Sequence, residues 1–288
     1  MMKDVLKVPA SAGAEWLLGG FRLLRKAPAG LAAFGAIYGA IALLVPLSMQ
    51  VSTTLFLLLE LLLVIAGPIL TGGMIHAAQS VDRGGRALPA HLLQGVREGK
   101  TARLLATLIP QLLAVLLCAL LLILMIGSES LAQIGQAFAT MQNQAQPDPA
   151  LLSGLPVGRL ALWMLLALCI GVVTSFMTLL AVPEIMLTDS HAWDAMRRSF
   201  HACVRNVPAL VVFIVLTIIA VLAIYIAVMI VAVALRLVAG EWAMQVASQL
   251  LATAVLMPVL TGAMYMAWKQ MLAGGTTLAA PERGGFEA

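Results

Sequence analysis

The stretch VPALVVFIVLTIIAVLAIYIAVMIVAVAL, residues 207–235, carries no charged side chain and decides the class of fold. At about 1.5 Å of rise per residue, some twenty helical residues cross a hydrocarbon layer of about 30 Å. Lipid offers the backbone no hydrogen bonds, so a spanning segment must be a helix or part of a closed barrel. The alternation of polar and apolar residues that barrel strands need is missing here. The stretch therefore predicts a transmembrane helix.

Five further runs have the same character, at residues 29–49, 55–78, 104–126, 160–187 and 242–268. The 288-residue chain is 62% hydrophobic and 10% charged, whereas soluble domains are about half apolar and about a quarter charged. The sequence predicts an all-α, polytopic membrane helix bundle with six transmembrane helices. We expect one transmembrane domain over residues 1–275 and a disordered C-terminal tail, 276–288.

The charges predict how the six spans are oriented. The chain has 17 lysines and arginines and a formal net charge of +4, and all of these residues except Arg159 and Arg236 fall on one side of the predicted spans. Basic residues in short loops mark the cytoplasmic side. We therefore expect a multi-pass protein of a bacterial inner membrane with both termini cytoplasmic. Membrane topology accounts for the basic residues without a nucleic-acid partner.

An internal repeat organises the spans. The segment GPILTGGMIHAAQSVDRGG, residues 67–85, matches MPVLTGAMYMAWKQMLAGG, residues 257–275, at eight of nineteen positions. The odd-numbered spans are each preceded by a basic, partly apolar lead-in, at residues 16–26, 91–103 and 193–205. This pattern predicts three helical-hairpin repeats, about 14–85, 88–188 and 190–275, with interfacial amphipathic lead-in helices.

Prolines and glycines predict where the spans bend and where they pack closely. The repeat register places Pro68, Pro183 and Pro258 at equivalent positions, where each removes one backbone hydrogen bond. A structural kink and a gating hinge both remain open. Gly35 and Gly39 form a GxxxG pair, which favours close packing inside the bundle over a dimer seam.

The segment VPEIMLTDSHAWDAMRRSFHACVRN, residues 182–206, resembles an uncharacterised group of proteobacterial six-helix membrane proteins. More distantly it is similar to the membrane domain of some glycerophosphodiester phosphodiesterases. The shared features are a proline near the end of a span, a short acidic turn and an amphipathic helix. The resemblance implies the fold and the topology. It implies no catalytic residue for this chain.

One acidic residue lies deep in a predicted span. An intramembrane carboxylate is costly unless it is protonated, paired or exposed to water, so Glu60 is a candidate functional residue. We expect Glu60 to face the interior beside Gln245 or Gln249, with Gln111 within the same polar site. The polar residues serve either as hydrogen-bonding glue between helices or as part of a proton-linked pathway. Glu184 lies close to the predicted cytoplasmic surface, where a carboxylate costs little.

The third lead-in is the predicted lipid-binding element. On a helical wheel Trp193 and Phe200 lie on an apolar side, with Arg197, Arg198 and Arg205 beside it. Basic groups at the cytoplasmic leaflet attract anionic lipids, so these arginines are candidate lipid contacts. Their alternative role is to set the topology alone.

No motif in the sequence indicates catalysis. Phosphate-binding loops, metalloprotease and serine-hydrolase signatures and paired cysteines are missing, and no cofactor or metal site is predicted. We expect a non-catalytic protein that binds membrane lipids or other membrane proteins as a structural, assembly or envelope factor. The alternative is a transporter or channel for a small or amphiphilic solute. A water-accessible cavity around Glu60 would favour the alternative.

Overall fold

The computed structural model describes residues 5–142 and 156–274, and helices joined by turns account for them, with no strand in these ranges. The helices are α1 (Ala12–Lys26), α2 (Pro28–Met49), α3 (Thr53–Asp82), a 3₁₀ helix (Pro89–Leu93), α4 (Gln94–Arg97), α5 (Thr101–Leu105), α6 (Leu108–Ile126), α7 (Ser128–Gln142), α8 (Val157–Thr178), α9 (Ala181–Leu187), α10 (Ala192–Arg205) and α11 (Val207–Met271). Among the described residues, five helical stretches are long and apolar enough to cross a membrane. The chain is an all-α integral membrane protein. The predicted tail, 276–288, lies outside the described residues.

The longest helix, α11, turns back on itself. A Cβ atom added at Gly13 would lie 2.1 Å from the carbonyl oxygen of Ala209, and one added at Gly20 would lie 2.2 Å from that of Val259. Gly13 and Gly20 are about 10 Å apart along α1, whereas a straight helix would separate residues 209 and 259 by about 75 Å. The two arms of α11 therefore run beside each other.

The reversal lies at Gly240, where φ is 84° and ψ is −177°. This backbone conformation is open to glycine and strained for other residues. Arg236 and Glu241 flank it with an ion pair of 2.8 Å, in which both side chains are more than half exposed. The predicted runs 207–235 and 242–268 correspond to the two arms. Six membrane crossings and three repeats remain predictions.

The described chain divides into two compact units. Unit 2 covers residues 109–175 and holds α7 and most of α6 and α8. Within it, the indole N–H of Trp163 donates to the carbonyl of Cys118 at 2.9 Å, which joins α8 to α6. The described residues of α8 include none that is buried, and those of α6 only Ile126. Lipid is the solvent that suits these apolar surfaces.

Unit 1 covers the described residues 5–108 and 176–274, and its core lies where the loop-side ends of its helices meet. The most buried large side chains there include Trp16, Phe34, Met74, Leu180 and Ile185. Next to this core lie the segments that carry all the described lysines and arginines of unit 1 except Arg236. We call these segments the basic end: residues 5–27, 82–105, 184–206 and 267–274. The single-domain prediction for residues 1–275 is untested by this division.

Two of the three predicted lead-ins are single helices, and the second is not. Residues 16–26 lie in α1 and residues 193–205 in α10. Residues 91–103 are instead divided among the 3₁₀ helix, α4 and α5. Gly99 has a φ of 68° between α4 and α5 and ends the first of them. A continuous helix was the wrong prediction there, because glycine permits a left-handed turn that stops helix propagation.

The proline-bearing segments pack against the lead-ins in a cyclic order. A Cβ atom at Gly73 of α3 would lie 2.4 Å from the carbonyl oxygen of Leu92 in the second lead-in. The backbone N–H just before α9 donates to Ser199 of α10. A Cβ atom at Gly262 of α11 would lie 3.1 Å from the Cα of Gly20 in α1. Each proline-bearing segment thus contacts the lead-in of the following predicted repeat, and the third contacts the lead-in of the first.

Close packing at the GxxxG pair is confirmed. A Cβ atom at Gly35 would lie 2.1 Å from the carbonyl oxygen of Thr253, and one at Gly39 would lie 2.1 Å from the Thr253 hydroxyl oxygen. The absence of side chains lets the α2 backbone contact α11 directly. At Pro258, Thr261 donates to the carbonyl of Met257 at 2.8 Å. Pro258 has no N–H, so it leaves the carbonyl of Ala254 without its usual helical donor. The Thr261 hydroxyl donates to Met257 and therefore does not replace that missing bond.

Candidate functional site: a buried polar network

Glu184 of α9 is buried, with only 1% of its surface exposed. One carboxylate oxygen accepts hydrogen bonds from Arg198 of α10 and, at 3.0 Å, from the hydroxyl of Ser190. The other accepts from the indole N–H of Trp268 in α11 at 2.6 Å. A buried carboxylate is tolerated when charge-assisted hydrogen bonds replace its hydration. Glu184 therefore joins three helices.

A second carboxylate lies next along the same face of α11. Oδ2 of Asp82, the last residue of α3, accepts from the Tyr265 hydroxyl at 2.9 Å and from Lys269 at 2.6 Å. The rings of Tyr265 and Trp268 are stacked, with centroids 6.2 Å apart. The stacked rings connect the two carboxylates. We call the six residues the polar network: Asp82, Glu184, Arg198, Tyr265, Trp268 and Lys269.

The N-terminal segment is fastened beside this network. The side-chain amide of Asn206, which is buried, accepts from the backbone N–H of Val8 and donates to the carbonyl of Leu6. The backbone N–H of Leu6 donates to the carbonyl of Met271 at 3.0 Å. One amide side chain thus pairs the segment before α1 with the junction of α10 and α11.

α1 is also bonded to the last turn of α11. Gln270 accepts from the indole N–H of Trp16 at 2.6 Å and donates to Glu15 at 2.9 Å. Trp16 is completely buried. A buried indole N–H needs such an acceptor, because an unpaired donor would keep its full desolvation cost.

The second lead-in is bonded to α9. Lys100 donates to the carbonyl of Met186 at 2.8 Å and forms an ion pair with Glu98 at 2.8 Å. Partial burial opposes the ionisation of Glu98, but hydrogen bonds from Lys100 and Gln94 hold the pKa of its carboxyl below the ordinary value. The charged carboxylate of Glu98 therefore fits this position.

α10 holds the break between α8 and α9. The hydroxyl of Ser199, which is completely buried, donates to the carbonyl of Phe176 and accepts from the backbone N–H of Leu180. Pro183 lacks an N–H and conflicts with the carbonyl four residues earlier, so a helix ends readily at this point.

On the next turn of α10, burial raises the pKa of the Cys203 thiol to about 12. This cysteine is a packing residue, not a thiolate at neutral pH.

The bonds of the polar network join different elements and leave its carboxylates occupied. Two donors of the network are unpaired: Nε and Nη2 of Arg198 are buried and have no hydrogen-bond partner among the described residues. A buried, unpaired guanidinium edge costs free energy, and Glu184 offsets the charge but not these two donors. The arrangement suits a brace between helices.

The structure rejects the predicted setting of Glu60. Its side chain is exposed on α3, and no hydrogen bond in the described residues joins it to Gln245 or Gln249. Gln245 is exposed and Gln249 partly buried on the second arm of α11, while Gln111 is exposed in unit 2. The interior placement was wrong because every residue around Glu60 is apolar, so the sequence could not indicate which face of α3 contacts protein.

The three predicted lipid contacts on α10 have different surroundings. Arg197 is exposed, and Arg205 is exposed with a hydrogen bond to the carbonyl of Val5 at 3.2 Å. Arg198 instead turns inward to Glu184, so an outward lipid contact for it was wrong. The apolar side of the wheel is also divided: Met196 is buried, while Trp193 is 65% exposed.

Sequence reasoning missed the polar network. Glu184 was placed near the surface by its position at the end of an apolar run, and its partners Arg198 and Trp268 lie 14 and 84 residues further along the chain. A weak signal was available, because an acid directly after a span proline and an arginine in the next helix can meet across a short turn.

The side chains of His76 in α3 and His91 in the 3₁₀ helix lie next to each other. The rings of His76 and His91 are 5.2 Å apart and nearly perpendicular. The part of the chain that the structure describes contains no group of three or more histidine, cysteine, aspartate or glutamate side chains placed to hold a metal ion. Nothing in the geometry of this pair points to a cofactor.

Comparison of the chain with protein-family models, curated proteins and solved structures finds no match. The resemblance to the six-helix proteobacterial proteins therefore remains a prediction.

Proposed function

We propose that this chain is a non-catalytic, six-span protein of a bacterial inner membrane that acts as a structural, assembly or envelope factor. It works by binding membrane lipids or other membrane proteins, and both of its termini are cytoplasmic. The polar network carries the proposal. Its converging charged side chains are engaged with one another and brace α3, α9, α10 and α11, which is the arrangement expected of a fixed scaffold.

The proposed three-repeat plan has independent support. The cyclic packing of proline-bearing segments on the lead-ins is what a triplicated hairpin would produce. In addition, Gly84 and Gly274, which the repeat register pairs, end their helices with φ of 85° and 73°. The prolines at 68, 183 and 258 are all buried. Three hairpins with two spans each give the proposed six crossings.

The proposed lipid contact is supported by the outer surface of the basic end. Large apolar side chains there are exposed beside basic residues: Leu18, Leu88, Leu93, Val96, Trp193 and Val204. Basic side chains among exposed apolar ones are typical of segments that lie in the headgroup layer. This surface suits the cytoplasmic leaflet, where anionic lipids are available.

Orientation is tested by labelling single cysteines in a chain from which the three native cysteines are removed. Arg86→Cys lies at the basic end, and the matched control Glu241→Cys lies at the opposite reversal; both sites are exposed. With a membrane-impermeant maleimide on intact cells, we expect Glu241→Cys to label at once and Arg86→Cys only after permeabilisation. Labelling of position 86 in intact cells would contradict the cytoplasmic assignment.

A disulfide between the first and third repeats separates a scaffold from a transporter. A Cβ atom at Gly19 would lie 3.5 Å from the Cβ of Met266, within the separation that a disulfide spans. Repeat-based transporters work by rocking one repeat against another. In a deletion strain with a leaky envelope, we expect oxidised Gly19→Cys/Met266→Cys to restore the barrier as well as the reduced form does.

The control for the disulfide is the single variant Met266→Cys, which has no cysteine at position 19 and cannot form it. The informative comparison is dye entry into cells before and after reduction. Loss of function on oxidation that is reversed by a reductant, with no change in the single variant, would replace the scaffold with a moving transporter.

A further inference from the structure

A groove on the outer face of α1 has a mixed chemical lining. Its volume is about 490 Å³, and it is lined by Leu18, Phe21, Arg22, Leu24, Arg25 and Pro28. The opposite face of α1 is buried against α11 through residues that include Gly13, Trp16 and Gly20. The groove therefore lies on the side of the helix that the bundle leaves open.

The two arginines of the groove are not paired with other groups of the described chain. Neither Arg22 nor Arg25 makes a hydrogen bond or an ion pair in the described part of the chain, and the same holds for neighbouring Lys26. Residues three apart on a helix are neighbours, with Cβ atoms about 5–6 Å apart. Two guanidinium groups at that spacing match the oxygens of one phosphodiester.

The apolar part of the groove extends away from these charges along the helix. Leu18 is 66% exposed and lies about 10 Å from Arg25 along α1. Pro28 is the first residue of α2, a helix that is long and apolar enough to cross a membrane. The groove therefore lies where a span enters the membrane, and there both phosphate groups and acyl carbons are within reach.

We propose that this groove, here called the α1 groove, binds one anionic phospholipid, with its phosphate on Arg22 and Arg25 and an acyl chain against Leu18 and Phe21. The site rests on the proposed membrane function and gives it a defined ligand. The C-terminus of α1 carries about half a negative charge, but the two guanidinium groups of the groove outweigh it. A soluble anion would leave the apolar half of the groove uncovered.

The test titrates the purified full chain in a neutral detergent and counts bound lipid by native mass spectrometry. The probes are dioleoyl phosphatidylglycerol, dioleoyl phosphatidylcholine and inorganic phosphate. We expect Arg22→Gln/Arg25→Gln to weaken phosphatidylglycerol binding by about 10- to 30-fold, since each basic group near a lipid surface contributes several-fold. Phosphatidylcholine binding should stay within about twofold, because a zwitterion gains little from the arginines.

The matched control is Arg83→Gln/Arg86→Gln, which removes two exposed arginines of the same end and should leave the affinity unchanged. Leu18→Asn tests the apolar half and should weaken binding of both lipids. If the two double variants lost equal affinity for phosphatidylglycerol, the attraction would be diffuse and the site would be overturned. An unchanged affinity in Arg22→Gln/Arg25→Gln would also overturn it. Displacement of the lipid by millimolar phosphate would also overturn it.

A failure of this titration is distinguishable from a failure of the proposed function. The micelle experiment does not depend on orientation or on a cellular phenotype, and the cysteine-labelling and disulfide experiments do not depend on lipid affinity. Intact topology with no lipid preference would remove the α1 groove alone.

Discussion

Arg198→Leu is expected to lower the free energy of unfolding by about 3–5 kcal/mol, because it breaks a buried ion pair by removing one partner. The side chain of Glu184 is 2% exposed and that of Arg198 is 15% exposed. Removal of the guanidinium leaves a buried carboxylate with only the Ser190 hydroxyl and the Trp268 indole as donors. The measurement is denaturant unfolding of the purified chain in detergent.

The neighbouring residue provides the control for this prediction. Arg197 is exposed on the same helix, so Arg197→Leu should change stability by no more than about 0.5 kcal/mol. Glu184→Met/Arg198→Leu, which removes both charges, should recover a large part of the loss, because no uncompensated ion is then buried. Equal stabilities of the two single arginine variants would mean that Arg198 faces lipid, as the helical wheel indicated.

Gly20→Ala is expected to destabilise the chain by about 3 kcal/mol or more, which is large for the addition of one methyl group. The new Cβ atom would lie 2.2 Å from the carbonyl oxygen of Val259 and 3.1 Å from the backbone nitrogen of Ala263. Both obstacles are backbone atoms of α11, so no side chain can rotate away. α1 would have to move off α11, and the hydrogen bond from Trp16 to Gln270 would weaken.

Gly171→Ala is the matched control, since Gly171 lies in α8 and has nothing within 4 Å of an added Cβ atom. Alanine in an open helical position should be stabilising by roughly 0.5–1 kcal/mol, because it restricts the unfolded chain. Thermal unfolding and the yield of folded protein are the readouts. A Gly20→Ala variant as stable as the parent would refute direct backbone contact between α1 and α11.

Several features of the fold could be predicted from the sequence because their causes are local. Apolar runs of spanning length specify helices whatever surrounds them. The GxxxG spacing at Gly35 and Gly39 indicated close packing, and a Thr253 contact at each confirms it. The reversal at Gly240 follows from the two separate apolar runs, 207–235 and 242–268, each of which is already long enough to cross the membrane. The break at Gly99 was missed, since one glycine in a basic segment permits a turn without requiring it.

The positions of the polar side chains were decided by the tertiary structure alone. In a soluble helix the buried face is apolar and the exposed face polar, so periodicity reveals it. In a membrane span lipid is as apolar as the protein interior, and this difference disappears. The sequence by itself therefore determined an all-helical membrane protein with its basic residues gathered between the spans. It did not determine that Glu60 is exposed and Glu184 buried, because burial of an acid depends on donors such as Trp268, brought to it from 84 residues away.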